Sequence, residues 1–320
     1  MHYDLFNGDA DGIIALVQMR LAEPKDSVLV TGVKRDIKLL SKIADNDDVT
    51  SVTALDISME KNQAPLAALL EKGVEVFYCD HHRAGEIPHS DKLEALIDLD
   101  AEICTSLLIN QKLGGQYAKW AVAAAFGDNL FASAEKLASE IGLSVEETEF
   151  LKELGTLINY NGYGASLDDL HIEPAELYKM LVKFSCPLQL RDDPASPYYK
   201  LKKGYESDYT NIVALEPISA NDVARVFELP CEAWARRISG VFGNELANQA
   251  PDTAHGVLTM NGNGEDYTVS VRAPLNNRIG ADEICSAFPT GGGRKAAAGI
   301  NQLSISSKAD FIEALNRFYK

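Results

Sequence analysis

Strand-like and helix-like segments alternate along the first eighty or so residues, and this alternation limits the possible folds more than any other feature. The strand-like runs are rich in β-branched and aromatic residues, and they are YDLF, SVLVTGV, VTSVTALDI and VEVFYCD. The runs between them have helical patterning, and they are GIIALVQMRL, IKLLSKIA and QAPLAALLEKG. The pattern predicts an α/β protein whose parallel sheet carries helices on its faces.

Acidic residues and two histidines stand where the predicted strands end. They are Asp9 and Asp11 after the first strand, Asp56 at the end of the third, and Asp80, His81 and His82 at the end of the fourth. Ligands of parallel sheets bind beyond the carboxyl ends of the strands, so these side chains are expected to converge. Clustered carboxylates repel one another, and a divalent cation relieves that repulsion. Oxygen ligands with one or two imidazoles suit manganese or magnesium, and several carboxylates suit two metals about 3.5–4 Å apart.

The stretch NGDADG at residues 7–12 has two other interpretations. It fits the first half of an EF-hand calcium loop, but the twelfth position of that loop needs a glutamate and is Gln18 here. The segment before it is also strand-like, whereas an EF-hand needs a helix there. The second alternative is a loop of solvated acids, and the Asp-His-His run at a nearby strand end argues against it.

The chain is strongly acidic, with a net charge of −17 over 320 residues. It therefore has no broad basic surface for long nucleic acid, and a phosphate-bearing ligand would need a local pocket of cations. The five cysteines lack zinc or redox spacing and are expected to be reduced thiols. The sequence shows neither a membrane-length apolar run nor an N-terminal signal, so we expect a cytoplasmic protein without a membrane partner.

Six motifs resemble, in order, those of the DHH phosphoesterases with their DHH-associated C-terminal domain. They are NGDADG, Asp56 in ALDIS, Asp80-His81-His82, Asp128 after AVAAAFG, SVRAP at 270–274 and GGGRKAAAGI at 291–300. The resemblance covers nearly the whole chain. It implies a parallel-sheet metal-binding domain at residues 1–187 and a smaller α/β substrate-binding domain at 212–320, with a cleft between them. The stretch PLQLRDDPASPYYKLKKGYESDY, which holds three prolines and many charges, predicts the linker at 188–211.

The resemblance also implies a set of metal ligands and catalytic residues. The implied metal ligands are Asn7, Asp9, Asp11, Asp56, His81 and Asp128. Asp56 would bridge two Mn²⁺ ions, with Mg²⁺ as the alternative, and the catalytic residues would be His81, His82 and Asp80. In this scheme His82 faces the scissile phosphate and Asp80 orients the histidines. The metals would generate hydroxide and neutralise charge in the transition state of phosphate-ester hydrolysis.

Two positions depart from the family pattern. Leu5 and Asn7 stand where relatives usually carry a histidine or an aspartate before the paired aspartates. Asn7 offers only a neutral carbonyl oxygen, which is a weaker ligand and leaves the number of metals open. Arg294 stands where the glycine-rich motif usually has a histidine, and an arginine can bind a phosphate through two hydrogen bonds.

The resemblance implies a substrate-binding set centred on the glycine-rich motif. Its members are Gly291, Gly292, Gly293, Arg294, Lys295, Arg272 and Arg278, together with Thr105 and Ser106 near the metals. The glycines would let backbone N–H groups approach an anion. Two alternatives stay open: GGGRKAAAG could be a tight turn before a packed helix, and Thr105 and Ser106 could cap a helix.

The resemblance and the charge together favour a small nucleotide substrate. A processive exonuclease would need a basic groove, so we expect a phosphodiesterase for very short oligonucleotides, with linear dinucleotides such as pGpG as the favoured substrate. That activity would contribute to the turnover of cyclic-di-GMP signalling. The alternatives are an adenosine 3′,5′-bisphosphate phosphatase or general nano-RNase, and a non-catalytic nucleotide-binding relative. The sequence leaves the oligomeric state open, a homodimer included.

Overall fold

The computed structural model describes all 320 residues, and they form two compact units. The first unit is Met1–Gly204 and the second is Tyr205–Lys320. The division falls within the segment predicted to be a linker, residues 188–211. Most of that segment is helical rather than extended, because it contains the helix Pro197–Tyr209.

The first unit is built on a five-stranded parallel sheet, as the alternation predicts. Its strands are β1 (His2–Phe6), β2 (Val28–Val30), β3 (Ser51–Leu55), β4 (Glu75–Asp80) and β5 (Leu93–Ile97), in the order β2-β1-β3-β4-β5. The helices of this part of the chain are α1 (Ala10–Ala22), α2 (Gln63–Glu71), α3 (Thr105–Lys112), α4 (Ala118–Gly127), α5 (Phe131–Glu140), α6 (Val145–Asn161), α7 (Pro174–Leu181) and α8 (Pro197–Tyr209).

Alternation of side chains along β1 explains how both faces of the sheet are covered. Tyr3 and Leu5 belong to the buried apolar cluster that includes residues of α2. Asp4 and Phe6 point to the other face, since successive strand residues alternate. There Asp4 accepts a 2.9 Å hydrogen bond from Nε of Arg20 in α1. The first helix is therefore held against the sheet and begins directly above its carboxyl edge.

The predicted helix IKLLSKIA, residues 37–44, is wrong. Only a short 3₁₀ helix forms there, at Leu40–Lys42. The side chain of Asn62 accepts from the backbone N–H of Leu40 at 3.3 Å and donates to the carbonyl of Ile37 at 2.8 Å. These bonds satisfy backbone groups that a helix would have paired internally, so the apolar residues are buried without helical structure.

The second unit is a smaller α/β domain with a mixed six-stranded sheet. Its strands are β6 (Ser219–Ala220), β7 (Ala224–Leu229), β8 (Ala254–Met260), β9 (Asp266–Arg272), β10 (Gly291–Gly293) and β11 (Ala297–Ser304), in the order β10-β11-β9-β8-β7-β6. Its helices are α9 (Ala233–Gln249), α10 (Ala281–Ser286) and α11 (Lys308–Phe318). β7 and β8 are parallel and are joined by α9, while the other pairs are antiparallel.

The glycine-rich motif forms the hairpin of β10 and β11, so the alternative of a turn before a packed helix is wrong. The strand-like segment YTVSVRAP contains most of β9, and the helix-like segment ADEICSAF contains α10. No helix in the structure combines the length and the apolar character that a bilayer crossing requires.

Candidate functional site

Asp9 begins α1 at the carboxyl end of β1. Its Oδ1 accepts from the backbone N–H of Gly12 at 3.1 Å, which caps the helix. Its Oδ2 lies 2.6 Å from Nζ of Lys34. Burial opposes ionisation of this carboxyl, but the adjacent ammonium outweighs burial and lowers the pKa of Asp9 to about 2. Asp9 is therefore an ionised carboxylate whose two oxygens both have partners.

Asp11 lies in the first turn of α1 and also caps a second helix. Its two carboxylate oxygens accept from the backbone N–H groups of Thr105 at 2.8 Å and Ser106 at 2.7 Å, at the start of α3. Burial raises the pKa of Asp11; the carboxylates of Asp128 and Asp9 raise it further, and His81 opposes them. The buried carboxyl group therefore lies in a surplus of negative charge.

Asp56 follows β3 directly and adopts a left-handed backbone conformation, with φ of 56°. Such a conformation costs a non-glycine residue about 1–2 kcal/mol and concentrates at functional sites. Thr105 Oγ1 donates to Asp56 Oδ1 at 3.3 Å. Burial first, and then the carboxylates of Asp9 and Asp11, raise the pKa of Asp56 well above its usual range. A bound divalent cation would remove the cause of that shift.

The imidazole of His81 lies where three acidic side chains converge. Its Nδ1 lies 2.9 Å from the carbonyl oxygen of Ile103, so Nδ1 carries the proton and donates. Its Nε2 lies 3.4 Å from Asp56 Oδ1, 3.8 Å from Asp11 Oδ2 and 3.8 Å from Asp128 Oδ2. An imidazole anchored through one nitrogen, with the other aimed among three carboxylates, is the usual arrangement of a metal-ligating histidine.

His82 lies beside this point and is oriented by Asp80. Its Nδ1 lies 2.7 Å from Asp80 Oδ1 and 3.7 Å from Asp56 Oδ1. Asp80 is fully buried, yet its hydrogen bond to His82 and the charge of the imidazole hold its pKa below the ordinary value. The His82 side chain is 30% exposed, so it is the more accessible of the two histidines. Candidate ligand atoms of Asp56, His81 and His82 all lie within 4.8 Å of one another.

Asn7 and Leu5 differ in what they could offer to a cation. Asn7 is buried, its Nδ2 donates to the carbonyl of Lys34 at 3.3 Å, and its Oδ1 has no hydrogen-bond partner. A buried carbonyl oxygen without a partner calls for an explanation, and a bound ion or water would supply one. Leu5 is fully buried in the apolar core and offers no ligand atom. The residues present therefore fit a divalent cation.

Lys34 is the site residue that the sequence reasoning missed. It follows β2 and ends among the acids, with Nζ 2.6 Å from Asp9 Oδ2 and 4.0 Å from Asp128 Oδ1. Burial would lower the pKa of Lys34, but Asp9 and other acidic neighbours raise it, so the ammonium stays charged. In the sequence, only its position after a strand end indicated that Lys34 could belong to the site. The neighbouring Arg35 has the same position, so this indication does not distinguish the two residues.

The predicted site residues of the first unit lie together at one edge of its sheet. The predicted substrate-binding residues of the glycine-rich motif, with Arg272 and Arg278, lie in the second unit. Thr105 and Ser106 are fully buried and contact Asp11 and Asp56. Arg294 and Lys295 are exposed at the β10–β11 turn, which closes through reciprocal hydrogen bonds of 2.9 and 3.2 Å between Arg294 and Ala297. Gly293 has φ of 150°, which favours glycine, and a side chain there would meet Ala298.

Two other arginines of the predicted set have different surroundings. Arg272 in β9 is partly buried and donates from Nε to Asn244 Oδ1 of α9 at 2.6 Å. Arg278 is exposed in the loop between β9 and α10. Gly291 and Gly292 pair with Ile300 and Gly299 in the hairpin.

No protein-family model matches the chain, and no curated protein does. Solved structures do match it. A manganese-bound exonuclease RecJ has a TM-score of 0.59 at 16% identity, over 99% of this chain and 89% of that one. RecJ from Thermus thermophilus with Mn²⁺ has a TM-score of 0.62 at 16% identity, over 99% of this chain and 52% of that one. This chain thus spans about half the length of the Thermus thermophilus RecJ.

The chain therefore has the two-domain α/β fold of the RecJ exonucleases. A further structure with this fold is the pGpG-specific phosphodiesterase PggH from Vibrio cholerae, with a TM-score of 0.56 at 12% identity, over 99% of this chain and 98% of that one. At these identities the likeness establishes the fold. It agrees with the resemblance of the motifs to DHH phosphoesterases.

Proposed function

We propose that the protein is a metal-dependent phosphoesterase of the DHH type, a hydrolase of phosphoric ester bonds. One observation carries the proposal: His81 Nε2 is aimed at oxygens of Asp11, Asp56 and Asp128 while Nδ1 is anchored on a backbone carbonyl. A cluster of buried acids alone would be unfavourable, since burial and mutual repulsion both disfavour the charged form. A divalent cation resolves the conflict and gives the arrangement a chemical use.

The residues that would hold Mn²⁺ or Mg²⁺ are Asp11, Asp56, His81 and Asp128, with Asp9 and Asn7 at the border of the cluster. When bound, such an ion supplies a hydroxide at neutral pH and neutralises charge that develops on the phosphate. Oxygen ligands with a single imidazole suit both of these hard cations. The RecJ structures with this fold contain manganese, which supports a divalent ion here.

The remaining side chains of this edge position the reacting groups. Thr105 and Ser106 fix the carboxylates of Asp11 and Asp56 through backbone and hydroxyl hydrogen bonds. Asp80 accepts from Nδ1 of His82 and so fixes the ring, which leaves His82 Nε2 as the polar atom able to contact the scissile phosphate. Fixed ligands and donors of this kind lower the reorganisation that the reaction requires.

The glycine-rich hairpin suits a phosphate-binding role. Arg294 and Lys295 place two exposed cations next to each other in a protein whose net charge is −17. A Cβ on Gly292 would meet no atom within 4 Å, so packing does not explain the glycine there. A bare backbone beside two cations lets an anion approach closely. We assign Gly291, Gly292, Gly293, Arg294 and Lys295, with Arg272 and Arg278, to substrate binding.

The favoured substrate is a linear dinucleotide such as pGpG, cleaved to mononucleotides. The acidic composition opposes long nucleic acid, and the small number of clustered cations suits a substrate with few phosphates. The fold shared with PggH over nearly the full length of both chains supports the same choice.

A panel of substrates tests this proposal. Hydrolysis would be followed by chromatography in Mn²⁺ for pGpG, pApA, cyclic diguanylate, a five-mer RNA and adenosine 3′,5′-bisphosphate. We expect mononucleotides from pGpG and slow cleavage of the five-mer. Release of phosphate from the bisphosphate alone would replace the dinucleotide with that substrate. Binding of nucleotide without turnover of any member would contradict an enzymatic function.

A further inference from the structure

The ammonium of Lys34 lies inside the acidic cluster and is held there by three groups. Its Nζ is 2.6 Å from Asp9 Oδ2, donates to Asn159 Oδ1 at 2.9 Å, and lies 4.0 Å from Asp128 Oδ1. The Lys34 side chain is only 24% exposed, so water screens these interactions weakly. The positive charge of Lys34 is therefore part of the acidic site and is not half of a solvated ion pair on the surface.

The segment NYNGYG, residues 159–164, fixes Lys34 in this position. The backbone N–H of Lys34 donates to the carbonyl of Gly162 at 2.8 Å, and its Nζ lies 5.3 Å from the ring centroid of Tyr163. A Cβ on Gly162 would lie 2.9 Å from the carbonyl oxygen of Gly8 and 3.1 Å from Cα of Asp9. The absence of a side chain at Gly162 therefore lets this segment press against the acidic loop and hold the lysine among the carboxylates.

The cluster is consequently asymmetric. On one side, Asp9 is compensated by Lys34 and by the N–H of Gly12. On the other side, Asp11 and Asp56 face His81 Nε2, the ring nitrogen that carries no proton because the proton is on Nδ1. Asp128 lies between the two, with Oδ1 toward Lys34 and Oδ2 toward His81. The lysine ammonium thus lies on the Asp9 side, whereas hydrogen bonds from Thr105 and Ser106 hold Asp11 and Asp56 on the His81 side.

We propose that Lys34 takes the place of one of the two divalent cations expected at this sheet edge. One Mn²⁺ then binds on the side of Asp11, Asp56 and His81, while the ammonium neutralises Asp9 and weakens binding of a second ion. Leu5 and Asn7 agree with this assignment, because neither supplies the ionisable ligand that the motif resemblance implies at its position. The inference rests on the proposed function and refines its metal requirement.

Counting bound Mn²⁺ tests the inference without measuring activity. The metal-free full-length chain would be titrated with MnCl₂ at fixed pH, and free Mn²⁺ would be measured by electron paramagnetic resonance. The variants are Lys34→Met, which removes the charge, Lys34→Arg, which keeps it, and Lys42→Met, which removes a nearby exposed lysine that pairs with Asp36. Circular dichroism melting would verify that each variant is folded.

We expect one tightly bound ion per chain for the wild type, Lys34→Arg and Lys42→Met, and two for Lys34→Met. The second ion should bind to Lys34→Met about tenfold or more tightly than to the wild type, since one buried positive charge is removed. Two ions bound with equal affinity by the wild type, or identical titrations for wild type and Lys34→Met, would overturn the inference and leave the proposed function standing. Failure of all four proteins to bind Mn²⁺ would instead overturn both.

Discussion

The acidic edge of the first unit and the glycine-rich hairpin of the second are built in opposite ways. At the edge, Asp11, Asp56 and His81 are buried, and each is fixed by hydrogen bonds to a neighbouring backbone or side chain. At the hairpin, Arg294 and Lys295 are exposed on a turn. A metal needs ligands at set positions, whereas a phosphate can be held by exposed cations at the surface. We therefore expect edge substitutions to change kcat and hairpin substitutions to change KM.

The largest effect is expected at His81. His81→Ala removes the nitrogen at which three carboxylates meet, so kcat/KM should fall about a thousandfold or more, which is about 4 kcal/mol in the activation barrier. Steady-state hydrolysis of pGpG in Mn²⁺ measures it. His89→Ala is the matched control, because His89 is exposed and has no role in the site. Activity within tenfold of the wild type would remove His81 from the catalytic centre.

Arg294→Ala should have the next largest effect. Loss of a charge-assisted hydrogen bond costs roughly 1.5–3 kcal/mol, and we expect it to appear mainly as a higher KM for substrates with a 5′ phosphate. Arg317→Ala, at an exposed position of α11, is the control. If Arg294→Ala and Arg317→Ala give the same kinetics, the hairpin does not bind the phosphate.

Gly292→Val separates a binding role of the hairpin from a folding role. A Cβ added at Gly292 meets no protein atom within 4 Å, so the variant should fold normally. It would crowd an anion at the backbone, and we expect about a tenfold rise in KM, roughly 1.4 kcal/mol. Gly262→Val, where an added Cβ also meets no atom within 4 Å, should leave KM unchanged. Equal KM values for the two variants would show that the backbone at Gly292 is not in contact with the substrate.

The smallest expected effect concerns stability of the metal-free protein. The raised pKa of Asp56 means that the folded state holds its proton more firmly than the unfolded state, so stability falls as pH rises above about 4. Asp56→Asn removes this dependence, and asparagine tolerates the left-handed conformation. In chelator near neutral pH, the variant should melt about 2–4 °C above the wild type, or ~1 kcal/mol.

The difference in melting temperature between Asp56→Asn and the wild type should shrink as the pH falls toward 4. It should reverse in sign when Mn²⁺ is added, because only the wild type gains full metal binding. Asp48→Asn, at an exposed aspartate, serves as the control and should follow the wild type throughout. A constant difference at every pH would mean that the charge of Asp56 is not the cause.

The parallel sheet and the convergence of acids at its edge could be predicted because strand ends can be read from the sequence and parallel strands end on one side. The conformation of residues 37–44 could not, since it depends on the distant side chain of Asn62. Lys34 was missed for a similar reason: the residues that hold it, Asn159 and Gly162, are more than a hundred positions away. Contacts between distant segments leave no periodic pattern in the sequence.

The structure of the glycine-rich hairpin also could not be predicted from its own sequence. The run GGGRKAAAGI is typical of a turn, but whether a strand or a helix follows depends on pairing of β11 with β9. The alanines favour a helix by intrinsic propensity, and the sheet overrides that preference. The residue types of the candidate phosphate-binding set were therefore predictable, whereas their exposure and spacing required the fold.

The most direct test of the central claim, that this acidic edge performs metal-dependent hydrolysis, is pGpG turnover by chelator-treated protein before and after addition of Mn²⁺. The wild type should be inactive without metal and should recover when Mn²⁺ is added, whereas Asp56→Asn should stay inactive in both conditions. Equal turnover with and without chelator, or recovery of Asp56→Asn to wild-type rates, would contradict the claim.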